Sequence, residues 1–247
     1  MDHLSRGHHL YYEVHGPQSG PAVVLLHHGL GSVQAWKAQV PALIANGYRV
    51  MVYDRWGYGK SDPRPQLSIP YFEEDLADLF SLVEILDPSH LTLVGHSDGG
   101  TLSLYFAAAH PERLHRLVSV SAHIYFETKM ENGILGVRQA FEENPGFREG
   151  LRRMHGEKTQ AVFKAWFEGW YNPANRSWDM RPILRKIACP VLVVQGMQDE
   201  HATPQQALDT ATSIPDGEVW LARGASHMLP QDLPDAFNRR LLEFLSV

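Results

Sequence analysis

The sequence predicts an α/β protein in which a mostly parallel sheet is covered by helices on both faces. Three observations carry that expectation. Short runs rich in Val, Leu and Ile alternate with longer stretches of helical periodicity, the pattern of successive βαβ units. A glycine-bounded serine, Gly95-His-Ser-Asp-Gly99, stands between one such run and one such stretch. The rhythm breaks once, between His123 and Arg185, where no clear strand is found.

Taken in order, His8 to Val14 alternates enough for an edge strand, paired with residues around His3 to Ser5. Ala22 to His27 is a continuous apolar run, as expected of a strand buried on both faces. A helix is expected from about Val33 to Asn46, a strand over Tyr48 to Tyr53, and a helix over Phe72 to Leu86. Leu91 to Val94 is a strand running into the glycine-bounded turn, followed by a helix to about His110. Leu114 to Val120 and Val191 to Gln195 are further strands. Pro204 to Ser213 reads as a helix, Glu218 to Leu221 as a strand, and Leu233 to Leu245 as the last helix. The stretch between His123 and Arg185 contains Trp166, Trp170 and Trp178 among helical patterns, with Asn172-Pro173 as a breaker. It reads as a helical insertion of residues 123–185 into a core made of 1–122 and 186–247.

A chain of 247 residues is long enough for one well-buried domain with an insertion. The formal net charge of -6 argues against nucleic acid or an anionic membrane as partner, because both select basic surfaces. Arg148, Arg152 and Arg153 sit among Glu142, Glu143 and Glu149, a mixed solvated helix face. The first seven residues lack the apolar core of a signal peptide, and no stretch approaches the roughly 20 apolar residues of a membrane span. Cys189 is the only cysteine and is expected to be a buried structural thiol. A cytoplasmic protein, monomeric or homodimeric, with a small-molecule partner is the expectation.

Chemistry enters with Ser97. A serine at the apex of a tight strand-to-helix turn adopts a strained backbone, and small neighbours are needed for that turn to close. The helix that follows directs its N-terminus at the reaction centre, so the Asp98 backbone N–H can stabilise an oxyanion. A serine hydroxyl is a poor nucleophile until a base takes its proton. With 14 histidines, position has to select the base. His227 follows the strand at 218–221, and Asp199 follows the strand at 191–195. Both therefore stand beyond C-terminal strand ends, where catalytic groups gather in open α/β sheets, and in the order serine, acid, histidine. Glu200 is the alternative acid and His201 the rival base, though His201 shares a short loop with Asp199. The second oxyanion donor is expected from His28-Gly-Leu-Gly31, with Gly29 and Gly31 allowing close approach and Leu30 supplying the N–H.

His28-Gly-Leu-Gly31, Asp54-Arg-Trp-Gly-Tyr-Gly-Lys-Ser61, Gly95-His-Ser-Asp-Gly-Gly100, Asp199 and His227 together resemble the α/β-hydrolase superfamily, over nearly the whole chain. The resemblance implies an α/β-hydrolase fold with a central eight-stranded sheet and a helical cap between strands six and seven, at 123–185. It implies no metal and no organic cofactor. Dehalogenases and epoxide hydrolases of the superfamily carry aspartate at the nucleophile position, so Ser97 speaks against both. The Ser-Asp-Gly-Gly form is similar to that of valacyclovir-hydrolase-like enzymes, in which the corresponding carboxylate meets the α-ammonium of an amino acid ester. Asp98 is accordingly a candidate substrate contact as well as an oxyanion donor, although an acidic residue in a first helical turn is also favoured by the dipole.

The expected activity is hydrolysis of small or medium carboxylic esters through an acyl-enzyme on Ser97, with Trp166 and Trp170 as candidate substrate contacts. Amino acid esters are one option. A carbon–carbon bond hydrolase of the meta-cleavage-product type is the alternative, and its dianionic substrates call for cationic cap residues such as Arg138, Arg148, Arg152, Arg153 or Arg176. A noncatalytic ligand-binding member of the fold and a lyase using the same triad are further alternatives. Activity is expected to rise with deprotonation of a group near about pH 6 to 7.

Overall fold

The computed structural model describes residues 1–86 and 90–246. Residues 87–89 and 247, which fall within the expected core segments, lie outside the described residues. The chain starts with an antiparallel hairpin of β1 (Asp2–Ser5) and β2 (His8–His15). Its two-residue turn, Arg6-Gly7, has both φ angles positive (45° and 92°), the handedness that matches strand twist in a tight hairpin. Next come β3 (Ala22–Leu26), a short 3-10 turn (Val33–Trp36), α1 (Gln39–Ala45), β4 (Arg49–Tyr53) and α2 (Glu73–Leu86). β5 (Leu91–His96), α3 (Asp98–Ala109) and β6 (Leu114–Val120) complete the first half.

Between β6 and β7 lie α4 (Thr128–Glu143), α5 (Pro145–His155), α6 (Thr159–Trp170) and α7 (Arg181–Leu184). The chain then returns through β7 (Val191–Gly196), α8 (Pro204–Ser213), β8 (Gly217–Ala222), α9 (Leu229–Asp232) and α10 (Pro234–Leu245). The eight strands form one sheet in the order β1-β2-β4-β3-β5-β6-β7-β8. The hairpin strands run antiparallel to their neighbours, and β4 through β8 pair in parallel. The alternation of apolar runs and helices thus produces the α/β-hydrolase architecture.

The apolar strands serve both faces at once. Val24 and Leu26 join Met51, Leu117 and Val193 on one side, while Val23 and Leu25 join Val50, Val118 and Leu192 on the other. Each fully buried residue of this size contributes roughly 1.5–3 kcal/mol, which is why a parallel sheet tolerates few polar positions. Cys189 is buried at the entrance to β7, in line with a structural thiol.

Two boundaries depart from the sequence-based expectation. The helix expected over 33–46 divides into the 3-10 turn and α1. Pro41 has no N–H to donate, so it sits in the first turn of a fresh helix, where that donor is not needed. A short α9 precedes α10, with Pro230 again in its first turn. Within the insertion, the isolated bridge between Tyr125 and Asp179 and the Met180 N–H to Ile124 carbonyl bond (2.8 Å) tie entry to exit. α7 lies beyond that neck and packs against α3 and α8 of the core.

No helix among the described residues is long and apolar enough to cross a membrane.

Candidate active site

β5 delivers Ser97 to the centre of the sheet's C-terminal edge. The residue has φ 55° and ψ -117°, a conformation an L-residue adopts only under tertiary constraint. The constraint is visible. The Ser97 N–H donates to the Val120 carbonyl (2.8 Å), and the chain turns at once into α3. A Cβ on Gly95 would collide with the Gly99 carbonyl, and one on Gly99 would collide with the carbonyls of Leu26 and His27. These collisions are with backbone that cannot rotate away. Gly95→Ala or Gly99→Ala is therefore expected to lower unfolding free energy by about 3 kcal/mol or more in a urea titration. A loss below about 1 kcal/mol would show that the elbow is plastic.

His227, in the turn between β8 and α9, brings Nε2 to 2.9 Å from Ser97 Oγ. Its Nδ1 lies 3.0 and 2.9 Å from the two oxygens of Asp199. Asp199 is fully buried and its Oδ1 also accepts the backbone N–H groups of His201 (2.8 Å) and Ala202 (3.1 Å). Burial opposes ionisation of Asp199, but His227 and these donors hold its carboxyl well below the usual carboxylate range. An ionised Asp199 can only accept, so Nδ1 carries the proton and Nε2 is left to accept from the serine. Burial alone would depress the His227 pKa. The Asp199 charge and hydrogen bond outweigh it, and the net shift is upward from 6.5.

The rivals take other places. Glu200 accepts the His227 backbone N–H at 3.1 Å and leaves the ring to Asp199. His201 packs its ring against His227 with centroids 4.5 Å apart.

Leu30 has φ 60°, a left-handed conformation rare for leucine, on the loop after β3. Its carbonyl accepts from His155 Nε2 (2.9 Å), while His155 Nδ1 accepts the Gly59 N–H (3.0 Å). A histidine from the insertion thus holds the loop that carries the expected oxyanion donor. His96, the second residue of the elbow motif, donates from Nε2 to the His227 carbonyl (2.8 Å). His27 Nε2 accepts the Arg55 N–H (3.1 Å), and the stacked ring of His123 lies 6.0 Å from that of His227. Burial pushes the pKa of His28 down to about 4 and those of His123 and His201 down to about 3. Neutral rings therefore surround the one histidine that is raised. His27, His28, His96 and His201 carry a sequence signal, since each adjoins a chemistry-bearing motif.

A cavity of about 540 Å³ opens above Ser97 and His227. Met130, Ile134, Leu151, Trp166 and Trp170 of the insertion line one wall, and His28, Gly29, Leu30 and Asp98 the other. Asp98 itself is buried. Its Oδ1 accepts Trp170 Nε1–H at 3.0 Å, and its Oδ2 accepts Arg55 Nη2–H at 3.2 Å. In the sequence Arg55 stands within the Asp54–Ser61 motif. Its signal was a cation directly after a buried strand, which calls for a buried partner.

Known proteins share this fold. The family model described as "alpha/beta hydrolase fold" matches residues 21–165. A candidate carbamate hydrolase, RutD of Variovorax paradoxus, is 31% identical over 96% of this chain and 96% of its own. Serine hydrolase BPHL of Mus musculus is 27% identical over 97% of this chain and 84% of its own. Among solved structures, the enol-lactonase of Burkholderia xenovorans superimposes with a TM-score of 0.80, at 23% identity, over the full length of both chains. The chain belongs to the α/β-hydrolase family and is a hydrolase of that fold.

Proposed function

We propose that the protein hydrolyses small or medium carboxylic esters through an acyl-enzyme on Ser97. The observation that carries this reading is the unbroken line from Ser97 Oγ through His227 to a buried Asp199, at the floor of a mostly apolar cavity. His227 Nε2 takes the serine proton as Oγ attacks the ester carbonyl, and Asp199 stabilises the imidazolium that forms. The N–H groups of Leu30 and Asp98 receive the oxyanion. His227 then protonates the departing alkoxide, and water repeats the sequence to release the acid.

The carbon–carbon alternative needs cations facing the substrate, and its five candidates do not line the cavity, whose lysine is Lys37. Arg138, Arg152 and Arg176 pair with Glu142, Glu149 and Glu131, and Arg148 donates to the Phe141 and Glu142 carbonyls. Neither these nor Arg153 line the cavity. The test is turnover of 4-nitrophenyl butyrate together with labelling by a fluorophosphonate, located by peptide mass. Turnover with label on Ser97 is expected. Labelling elsewhere, or no turnover of any neutral ester, would overturn the reading and leave the ligand-binding alternative.

A further inference from the structure

Asp98 belongs to a buried chain of charges. Arg55 Nη2 donates to Asp98 Oδ2, and Arg55 Nη1 lies 3.6 Å from Asp75 Oδ1. Asp75 Oδ2 accepts in turn from Arg64 Nη1, and Arg64 Nη2 reaches the half-exposed Glu74 (2.8 Å). The side chains of Arg55, Asp75, Asp98 and Arg64 are each at most 2% exposed. Within this buried set, two guanidinium groups match two carboxylates. The face of Tyr58 covers the Arg55 guanidinium at 4.5 Å and Phe72 lies 5.8 Å away, so the cation is sheltered from bulk solvent.

The position of the Asp98 carboxylate makes that balance consequential. A Cβ on Gly29 would lie 2.9 Å from Asp98 Oδ2, so the carboxylate rests against the residue preceding Leu30. The charge therefore sits beside the place where an ester oxyanion would form, and it is felt at His227 as well. Left uncompensated, it would repel the oxyanion its own backbone N–H is meant to stabilise. Meanwhile Oδ1 is bound to Trp170 at the C-terminal end of α6, fastening the insertion to the elbow.

We propose that Arg55 is a positioning residue that acts through Asp98: it neutralises the carboxylate so that an oxyanion can form beside it, and it thereby closes the site to recognition of a substrate α-ammonium. The substrate class that follows is esters uncharged at the acyl α-carbon. This rests on the ester-hydrolase reading above. A substrate ammonium brought against Asp98 would leave the buried set with one positive charge in excess, and burying an unmatched charge is strongly unfavourable.

The experiment compares benzyl leucinate with benzyl 4-methylpentanoate, which differ only in the ammonium group, on wild type, Arg55→Met, Asp98→Asn and the double variant. Wild type is expected to favour the amino ester by less than about tenfold in kcat/KM, since a charge-assisted contact would give more. Arg55→Met is expected to lose about 10²-fold in kcat with KM little changed, the effect of one uncompensated charge near the transition state. Adding Asp98→Asn to Arg55→Met removes the whole ion pair and leaves Asp75 matched by Arg64, so kcat is expected to recover to the level of Asp98→Asn alone. Simple packing damage at Arg55 would not be repaired by a change at Asp98. A double variant no faster than Arg55→Met would overturn the proposal. So would an amino-ester preference in wild type that Asp98→Asn abolishes, a comparison that stays decisive should Arg55→Met fail to fold. If wild type turned over neither ester above a Ser97→Ala blank, the ester reading itself would fall instead.

Discussion

Ser97→Ala is expected to lower kcat for a neutral ester by about 10⁴-fold or more, and His227→Ala by a similar factor. The double variant is expected to be no slower than either single one. In the proposed mechanism, attack by Oγ and proton capture by Nε2 are one event across a 2.9 Å contact, so removing either partner removes the event. What survives is the contribution of the oxyanion donors and of binding in the cavity, which neither substitution touches. Thermal unfolding of the three variants separates chemistry from folding, since neither side chain fills the core. Losses that multiply in the double variant would mean that the two residues act in separate steps. A Ser97→Ala enzyme retaining a tenth of the activity would remove Ser97 from the mechanism.

The parts of this site that are legible in the sequence are those in which backbone geometry forces residue type. Ser97 is visible because only glycine fits at 95 and 99, where any Cβ would strike backbone. Asp199 and His227 are visible because two short apolar strands place the residues after them at one sheet edge. The α/β architecture is legible for a related reason: strands buried on both faces must read as continuous apolar runs. What the sequence conceals depends on partners far away along the chain. His155 looks like any helix-end histidine until α5 docks on the Leu30 loop, 125 residues away in sequence. Arg55 and Asp98 are separated by 43 positions, and neither betrays the other. Asp98 in isolation invites a substrate cation; in the fold its carboxylate accepts from Arg55 and Trp170. The tryptophans likewise divide by context. Trp170 uses its indole N–H on Asp98, and Trp178 donates its own to the Tyr105 hydroxyl (2.8 Å).

The raised pKa of His227 fixes the direction of the pH dependence. The base works only when deprotonated, so kcat/KM is expected to rise with pH through the free-enzyme pKa of His227, with half-maximal activity above pH 6.5. Asp199, Glu200 and Asp98 all raise that pKa, and the first two can be separated. Asp199 both charges the surroundings of the ring and holds Nδ1–H, at 2.9 Å. Asp199→Asn is expected to cost about 10⁴-fold in kcat, because the amide no longer enforces the tautomer that leaves Nε2 free. It should also move the acid limb to lower pH, since burial then acts without its main opponent. Glu200 contributes charge but bonds only the His227 backbone, at 3.1 Å. Glu200→Gln is therefore expected to shift the limb in the same direction by a smaller amount, with kcat at the plateau reduced by less than about tenfold. The assignment of roles would reverse if Glu200→Gln gave the large loss and Asp199→Asn the small one. A profile flat from pH 5 to 8 in wild type would exclude His227 as the base, because a histidine that takes the serine proton must impose a rising limb.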